Sequence, residues 1–282
     1  MSSAESLDVH SGDIRLLTRI YLTSNIEENM STKQLCQEFL GTLLAVFPRK
    51  MMPSRRFQTL RQRGFRKKIS EPKTGFYSQY GQDAYIWNEI LKQQKHKGTF
   101  VDIGAYDGVT FSNTAYFEKA VGWSGLLVEP NPDSFSRLIA SRSAECVNCG
   151  IGPNEAAMEF LQCTGYGAQL SCFPSFASPE HLARIEHERV QHSFTISRLS
   201  VPVRAIGALF CEHQITSIDV LSVDVEGMEL DVLRQFPFRD VSVHVASIES
   251  NSPLELEILM EEQGFRLRAV LGADHIYVAH TS

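Results

Sequence analysis

Acidic residues fall where short apolar runs stop, and these are the positions in the chain best placed to do chemistry. Asp102 lies within Phe100-Val101-Asp102-Ile103, and Glu129 follows Gly125–Val128. Asp224 follows Val220–Val223, and Glu249, with Asn251 two residues on, follows Val243–Ile248. Runs of this length and composition read as buried strands. In an open parallel sheet, ligands bind outside the carboxyl ends of the strands, so acids at those ends face one crevice. Asp224, Glu249 and Asn251 together offer two carboxylates and an amide oxygen, a hard-oxygen set that magnesium accepts. Without a metal, Asp224 or Glu249 has the chemistry of a general base. A third reading leaves Glu226-Gly227 as a cap on the following helix, where the dipole favours a carboxylate.

The elements that position the first two acids are continuous in sequence from Thr99 to Pro132. An apolar run, the turn Gly104-Ala-Tyr-Asp-Gly108, a helical pattern from about Ser112 to Val121, and a second apolar run ending in Glu129 spell a βαβ unit. Gly104 and Gly108 let the backbone bend sharply and approach a ligand with no Cβ in the way. Glu129 stands where nucleotide-binding α/β proteins place an acid against ribose hydroxyls. The turn is D-x-G-x-x-x-G rather than the G-x-G-x-x-G that seats a pyrophosphate on a helix N-terminus. A pyrophosphate beside Asp102 and Asp107 is poor electrostatics, whereas a nucleoside carrying an ammonium and a sulfonium is favourable. S-adenosylmethionine fits, and the glycine spacing argues against a nicotinamide oxidoreductase.

These residues carry a resemblance to the FkbM-type methyltransferases, a branch of the class I S-adenosylmethionine-dependent enzymes. Further matches are YSQYGQDAYI (Tyr77–Ile86), VEPNP (Val128–Pro132), IDVLSVDVEGMELDVL (Ile218–Leu233) and IESN (Ile248–Asn251), in the family's order. The resemblance spans about Phe76 to Val278. It implies a Rossmann-like, doubly wound α/β fold whose seven-stranded sheet is mostly parallel with an antiparallel C-terminal strand. It implies methyl transfer to oxygen, with a carbohydrate or polyketide-like small molecule as hydroxyl acceptor. Asp224-Val-Glu-Gly, where nitrogen methyltransferases often carry an Asn/Asp-Pro-Pro-aromatic signature, leans the same way. Gln82, in the opening motif, is expected to close over the methionine end of the cofactor, and Gly150-Ile151-Gly152 to border the adenine. With Asp102, Gly104, Tyr106, Gly108, Ser112, Glu129, Pro130 and Asp224, these complete the expected cofactor-binding set.

Further along, a helix is expected over Gln82–Gln94 and a third strand over Glu145–Cys149. An alternating strand at Ala157–Cys163 is read as a hairpin with Gln169–Phe173. A charged helix is expected from Ser178 to His192, within an insertion at about 155–200 over the substrate mouth. That helix carries His181, His187 and His192, of which His192 is the candidate base. A helix after Pro253 and a terminal antiparallel pair, Phe265–Val270 with His275–Ala279, close the chain.

Composition is that of an ordinary globular chain: 282 residues, 43% hydrophobic, 21% charged. Six cysteines at irregular spacings read as free thiols. Zinc at Cys146 and Cys149 is disfavoured because strand residues three apart point to opposite faces. No apolar run reaches the ~20 residues of a membrane span, and the N-terminus lacks a basic start and an apolar core, so a cytoplasmic location is expected. Residues 1–75 read as a separate helical, basic extension before the methyltransferase domain at 76–282. Within the extension, Leu35, Phe39, Leu43 and Phe47 recur at helical spacing. Residues 49–68 hold nine basic side chains and no acid, a run that either contacts an acidic partner, RNA or lipid, or lies solvated. The alternative to an enzyme is a non-catalytic nucleotide-binding scaffold that works through this region.

Overall fold

The strands form where β-branched and aromatic runs are bounded by turn residues. The computed structural model describes residues 75–93, 97–153 and 155–280, all within the second of two units, Leu60–Ser282. The basic run at 49–68 and the periodic segment at 35–47 lie outside the described residues. In chain order the strands are β1 (Thr99–Ile103), β2 (Ser124–Val128), β3 (Glu145–Val147), β4 (Gly150–Ile151), β5 (Ala156–Cys163), β6 (Ile196–Arg204), β7 (Ser217–Val223), β8 (Ser242–Glu249), β9 (Phe265–Leu271) and β10 (Asp274–Ala279). The helices are α1 (Gln82–Tyr85), α2 (Pro132–Ser141), α3 (Pro179–His192), α4 (Ile206–Glu212), α5 (Glu229–Gln235) and α6 (Pro253–Glu262). A π turn over Ile86–Ile90 continues α1, and another, Phe117–Val121, precedes β2.

Seven strands make the main sheet in the order β3-β2-β1-β7-β8-β10-β9. The strands pair in parallel from β3 through β8, and β10 runs antiparallel to both of its neighbours. Phe100, Val101, Ile103, Val220, Leu221 and Val223 are almost wholly buried, as expected of parallel strands covered on both faces. The register aligns Ile103 with Val128 on one side and with Val223 on the other, and Val223 with Ile248. The residues one step beyond, Gly104, Glu129, Asp224 and Glu249, therefore form a row along one sheet edge, with strands ~4.8 Å apart.

A smaller sheet has the order β4-β6-β5. Here the structure corrects the sequence reading. The partner of β5 is β6, paired from Ala156–Val203 to Cys163–Ile196. Cys172 touches β5 only through one bridge to Leu161, because Gly165–Leu170 forms a 3₁₀ turn. The third strand ends at Val147, and Gly150–Ile151 leaves the main sheet to pair with β6. The helix after the glycine turn starts late. Phe111 has φ +57°, and the Ser112 hydroxyl accepts hydrogen bonds from the Thr114 and Ala115 amides, so Ser112–Thr114 form a capping loop. The first helix stops at Ile90 rather than Gln94, where Lys92 and Gln93 take positive φ. Ser178 caps α3 through the His181 amide. No helix among the described residues is long and apolar enough to cross a membrane.

Candidate active site

The row of strand ends opens onto a cavity of about 620 Å³. Its nucleotide-facing half is built on the β1 turn and the end of β2. Gly104 adopts φ +90°, and a Cβ there would lie 1.7 Å from the Asp224 carbonyl oxygen. That contact lets the β1 and β7 ends close together, with the Asp224 amide donating to the Ile103 carbonyl at 3.0 Å. The Glu129 carboxylate is fixed by two backbone donors, Tyr106 N–H at 2.8 Å and Asn131 N–H at 2.7 Å. Burial outweighs these bonds and raises its pKa to about 8. Asp102 is buried, accepts from the Thr114 hydroxyl at 2.6 Å, and is also shifted upward, chiefly by desolvation.

At the far end of this half, Asp274 opens β10 opposite Glu249. It accepts from the Gln82 amide at 2.8 Å, the Ser247 hydroxyl at 3.1 Å and the Asn113 amide at 3.2 Å. The Asn113 amide nitrogen also reaches the Ser222 hydroxyl at 3.3 Å, leaving Asn113 Oδ1 buried without a hydrogen-bond partner.

The second half is acidic. Carboxylate oxygens of Asp224, Glu226 and Glu249 lie within 4.8 Å of one another. Asp224 keeps accessible surface because it faces the cavity, yet protein crowds its other sides. Desolvation and the neighbouring Glu249 push its pKa well above the carboxylate range. Glu226 is raised to about 8 by desolvation and then by Glu249. Glu226 reaches the cavity from a strained turn: it has φ +53° and is followed by Gly227 at φ +108°. Glu229 does the capping, accepting from the Val225 and Gly227 amides at 3.2 and 3.0 Å. Glu226 is thereby free to face inward, where its Oε2 lies 3.4 Å from His181 Nδ1. The other ring nitrogen of His181 is 3.0 Å from the Leu170 carbonyl.

Gln82, Asp102, Gly104, Tyr106, Ser112, Glu129, Pro130, Gly150, Ile151, Asp224 and Glu249 all line this one cavity. Three sequence candidates lie elsewhere. Gly108 packs against α2, where a Cβ would meet Leu138 at 2.5 Å and Arg142 at 2.6 Å. Asn251 is exposed beyond the turn after β8, and the third member of the acidic set is Glu226. His192 stacks on Tyr166 at 3.8 Å instead of entering the cavity, and the histidine that meets the acids is His181. Sequence reasoning missed Asn113, Arg184 and Asp274. An isolated acid opening the apolar strand His275–Ala279 was the one available signal for Asp274. The cysteines among the described residues are free, and burial raises Cys149 and Cys163 to about 11 and Cys172 to about 12, which leaves them protonated and unreactive.

A family model for the methyltransferase FkbM domain matches residues 102–267, more than half of the chain. None of the curated proteins compared with the chain matches it. Among solved structures, the chain is similar to methyltransferase FkbM from Methylobacillus flagellatus KT, at 15% identity and a TM-score of 0.40, covering 69% of this chain and 47% of that one. The chain thus spans about half the length of that protein. It is also similar to Aeropyrum pernix fibrillarin, solved with natively bound S-adenosyl-L-methionine, at 14% identity and a TM-score of 0.34, with 70% and 75% covered. A third is a TehB-like SAM-dependent methyltransferase from Corynebacterium glutamicum, at 12% identity and a TM-score of 0.35, with 80% and 96% covered. With the family match running from β1 to β9 around the strand-end cavity, the chain belongs to the methyltransferase FkbM domain family.

Proposed function

We propose that the protein methylates a hydroxyl oxygen on a sugar or secondary-metabolite small molecule. The observation that carries this reading is the register of the sheet, which aligns Gly104, Glu129, Asp224 and Glu249 on the rim of one cavity. Two features fit S-adenosylmethionine there. Arg184 is the only arginine or lysine among the described residues that line the cavity, which suits a cationic nucleoside and not a pyrophosphate. The orphaned Asn113 Oδ1 and the Asp274 carboxylate give the methionine end acceptors for an ammonium.

The cofactor supplies a methyl group on a positively charged sulfur, activated for in-line displacement. The chain supplies positioning, exclusion of water and a proton acceptor. Glu129, clamped by the Tyr106 and Asn131 amides, accepts from the ribose hydroxyls. Ile151, Phe160 and Phe173, all buried beside Gly150, form the apolar wall for adenine. Asp224 and Glu249 receive the proton that the acceptor hydroxyl loses as its oxygen bonds to the methyl carbon and the carbon–sulfur bond breaks. The Asp224-Val-Glu226-Gly227 turn favours oxygen over nitrogen as the acceptor atom.

A second reading rests on the 4.8 Å grouping of Asp224, Glu226 and Glu249. These oxygen donors suit a hard divalent cation, and magnesium held by them would lower the pKa of the acceptor hydroxyl. Chelation separates the two: turnover that survives EDTA leaves the carboxylates as bases, and turnover lost to EDTA and restored by magnesium assigns the metal. For the function itself, calorimetry is expected to show micromolar binding of S-adenosylhomocysteine and negligible binding of NAD. Undetectable S-adenosylhomocysteine binding would favour a non-catalytic scaffold.

A further inference from the structure

Methyl transfer leaves the acceptor unspecified, but the charge of the cavity does not. Asp102, Glu129 and Asp274 line the cofactor half, and Glu188, Asp224, Glu226 and Glu249 line the rest. Against them, among the described lining residues, stands one guanidinium, that of Arg184. Arg184 is already committed: its Nε lies 2.8 Å from Glu188 Oε1, one turn along α3, and it also feels Glu226 and Glu249. Among the described residues that line the cavity an anionic acceptor therefore finds no free counter-charge, and it meets a converging set of acidic groups. S-adenosylmethionine brings an ammonium, a sulfonium and a carboxylate, a net single positive charge, which leaves most of the acidic groups of the cavity without a cationic partner.

A second, independent feature is the rim. Tyr80, Phe111 and Tyr166 line the cavity and are exposed by 45%, 48% and 64%. Tyr166 is held by stacking on His192, and Tyr80 packs against Gly272, where a Cβ would come within 2.2 Å of its ring. Aromatic faces over an acidic floor attract cations and repel anions.

We propose that the acceptor is a hydroxyl compound carrying an amine, of the amino-sugar or amino-alcohol class, and that Glu188 of α3 sets this preference. The proposal rests on the methyl-transfer reading and refines its substrate. The amine stays protonated and anchors the acceptor among the carboxylates. The neighbouring hydroxyl oxygen bonds to the methyl carbon as the carbon–sulfur bond breaks, its proton passes to the ionised carboxylate of the Asp224–Glu249 pair, and S-adenosylhomocysteine leaves.

The test uses the full chain, S-adenosylmethionine tritiated in its methyl group, and a metabolite extract divided at pH 7 into cationic, neutral and anionic fractions. At least tenfold more label is expected in the cationic fraction than in either other fraction. Acetylating its amines, which removes the charge, should abolish labelling, and reductive dimethylation, which keeps it, should not. Label concentrated in the neutral or anionic fraction overturns the proposal while leaving methyl transfer intact. Label lost after dimethylation makes nitrogen the acceptor atom and overturns the hydroxyl assignment. No label in any fraction, from protein that binds S-adenosylhomocysteine, contradicts the methyl-transfer reading itself. Glu188→Gln should raise KM for the cationic fraction fivefold or more at unchanged S-adenosylhomocysteine affinity, and Arg184→Gln should not raise it. Equal losses in both variants would reduce the pair to a structural bridge.

Discussion

Gly104 carries the sharpest constraint in the site. Its φ of +90° and the 1.7 Å approach of the Asp224 carbonyl to any added Cβ make Gly104→Ala a backbone problem. The variant is expected to lose at least ~3 kcal/mol through left-handed strain and displacement of the β7 end, measured by urea denaturation, together with cofactor binding. A stable variant with normal S-adenosylhomocysteine affinity would refute the close approach. Asn251, by contrast, is exposed and outside the acidic grouping, so Asn251→Ala should leave turnover within about twofold, whereas Asp224→Asn should lower it at least a hundredfold with binding retained. At this scale the sequence was legible where the acid follows an apolar run, as with Glu129 and Asp224. Asp274 was not, because what defines its role is a hydrogen bond from Gln82, 192 residues away. Glu226 was misjudged because Glu229, three residues on, does the capping that Glu226 was suspected of.

Elements announced by local chemistry were legible. Ser178 and Pro179 open α3 where a capping serine and an N1 proline predict a helix start, and the runs of the main sheet are continuous and apolar. The β5–β6 pairing was not legible, because a 3₁₀ turn and a 14-residue helix separate the two strands and alternation says nothing about a distant partner. The turn between β7 and α5 depends on one side chain. Glu229→Ala removes the acceptor for the Val225 and Gly227 amides, and a cost of about 1–2 kcal/mol is expected in thermal or urea unfolding. Turnover should fall with it, since the same turn aims Glu226. A fall in stability with turnover unchanged would show that Glu226 has no part in the reaction.

For the whole molecule, the cavity gathers buried carboxyl groups that hold their protons above the usual carboxylate range. Glu129 keeps its proton to about pH 8 in the fold but loses it near 4.5 when unfolded. Between those values the folded state binds more protons, so its contribution to stability falls as pH rises. Asp102 and Asp274 are shifted in the same direction, mainly by burial. The ligand-free protein should therefore melt at progressively lower temperature from pH 5 to pH 8, and Glu129→Gln should flatten part of that slope. An unchanged slope would mean that Glu129 is ionised in the fold. The most direct test of the central claim, that the strand-end row binds the methyl donor, is calorimetric titration with S-adenosylhomocysteine of the wild-type protein and of Asp102→Ala and Glu129→Ala. The account predicts binding to the wild type and at least a tenfold loss in each variant; equal affinity in all three would contradict it.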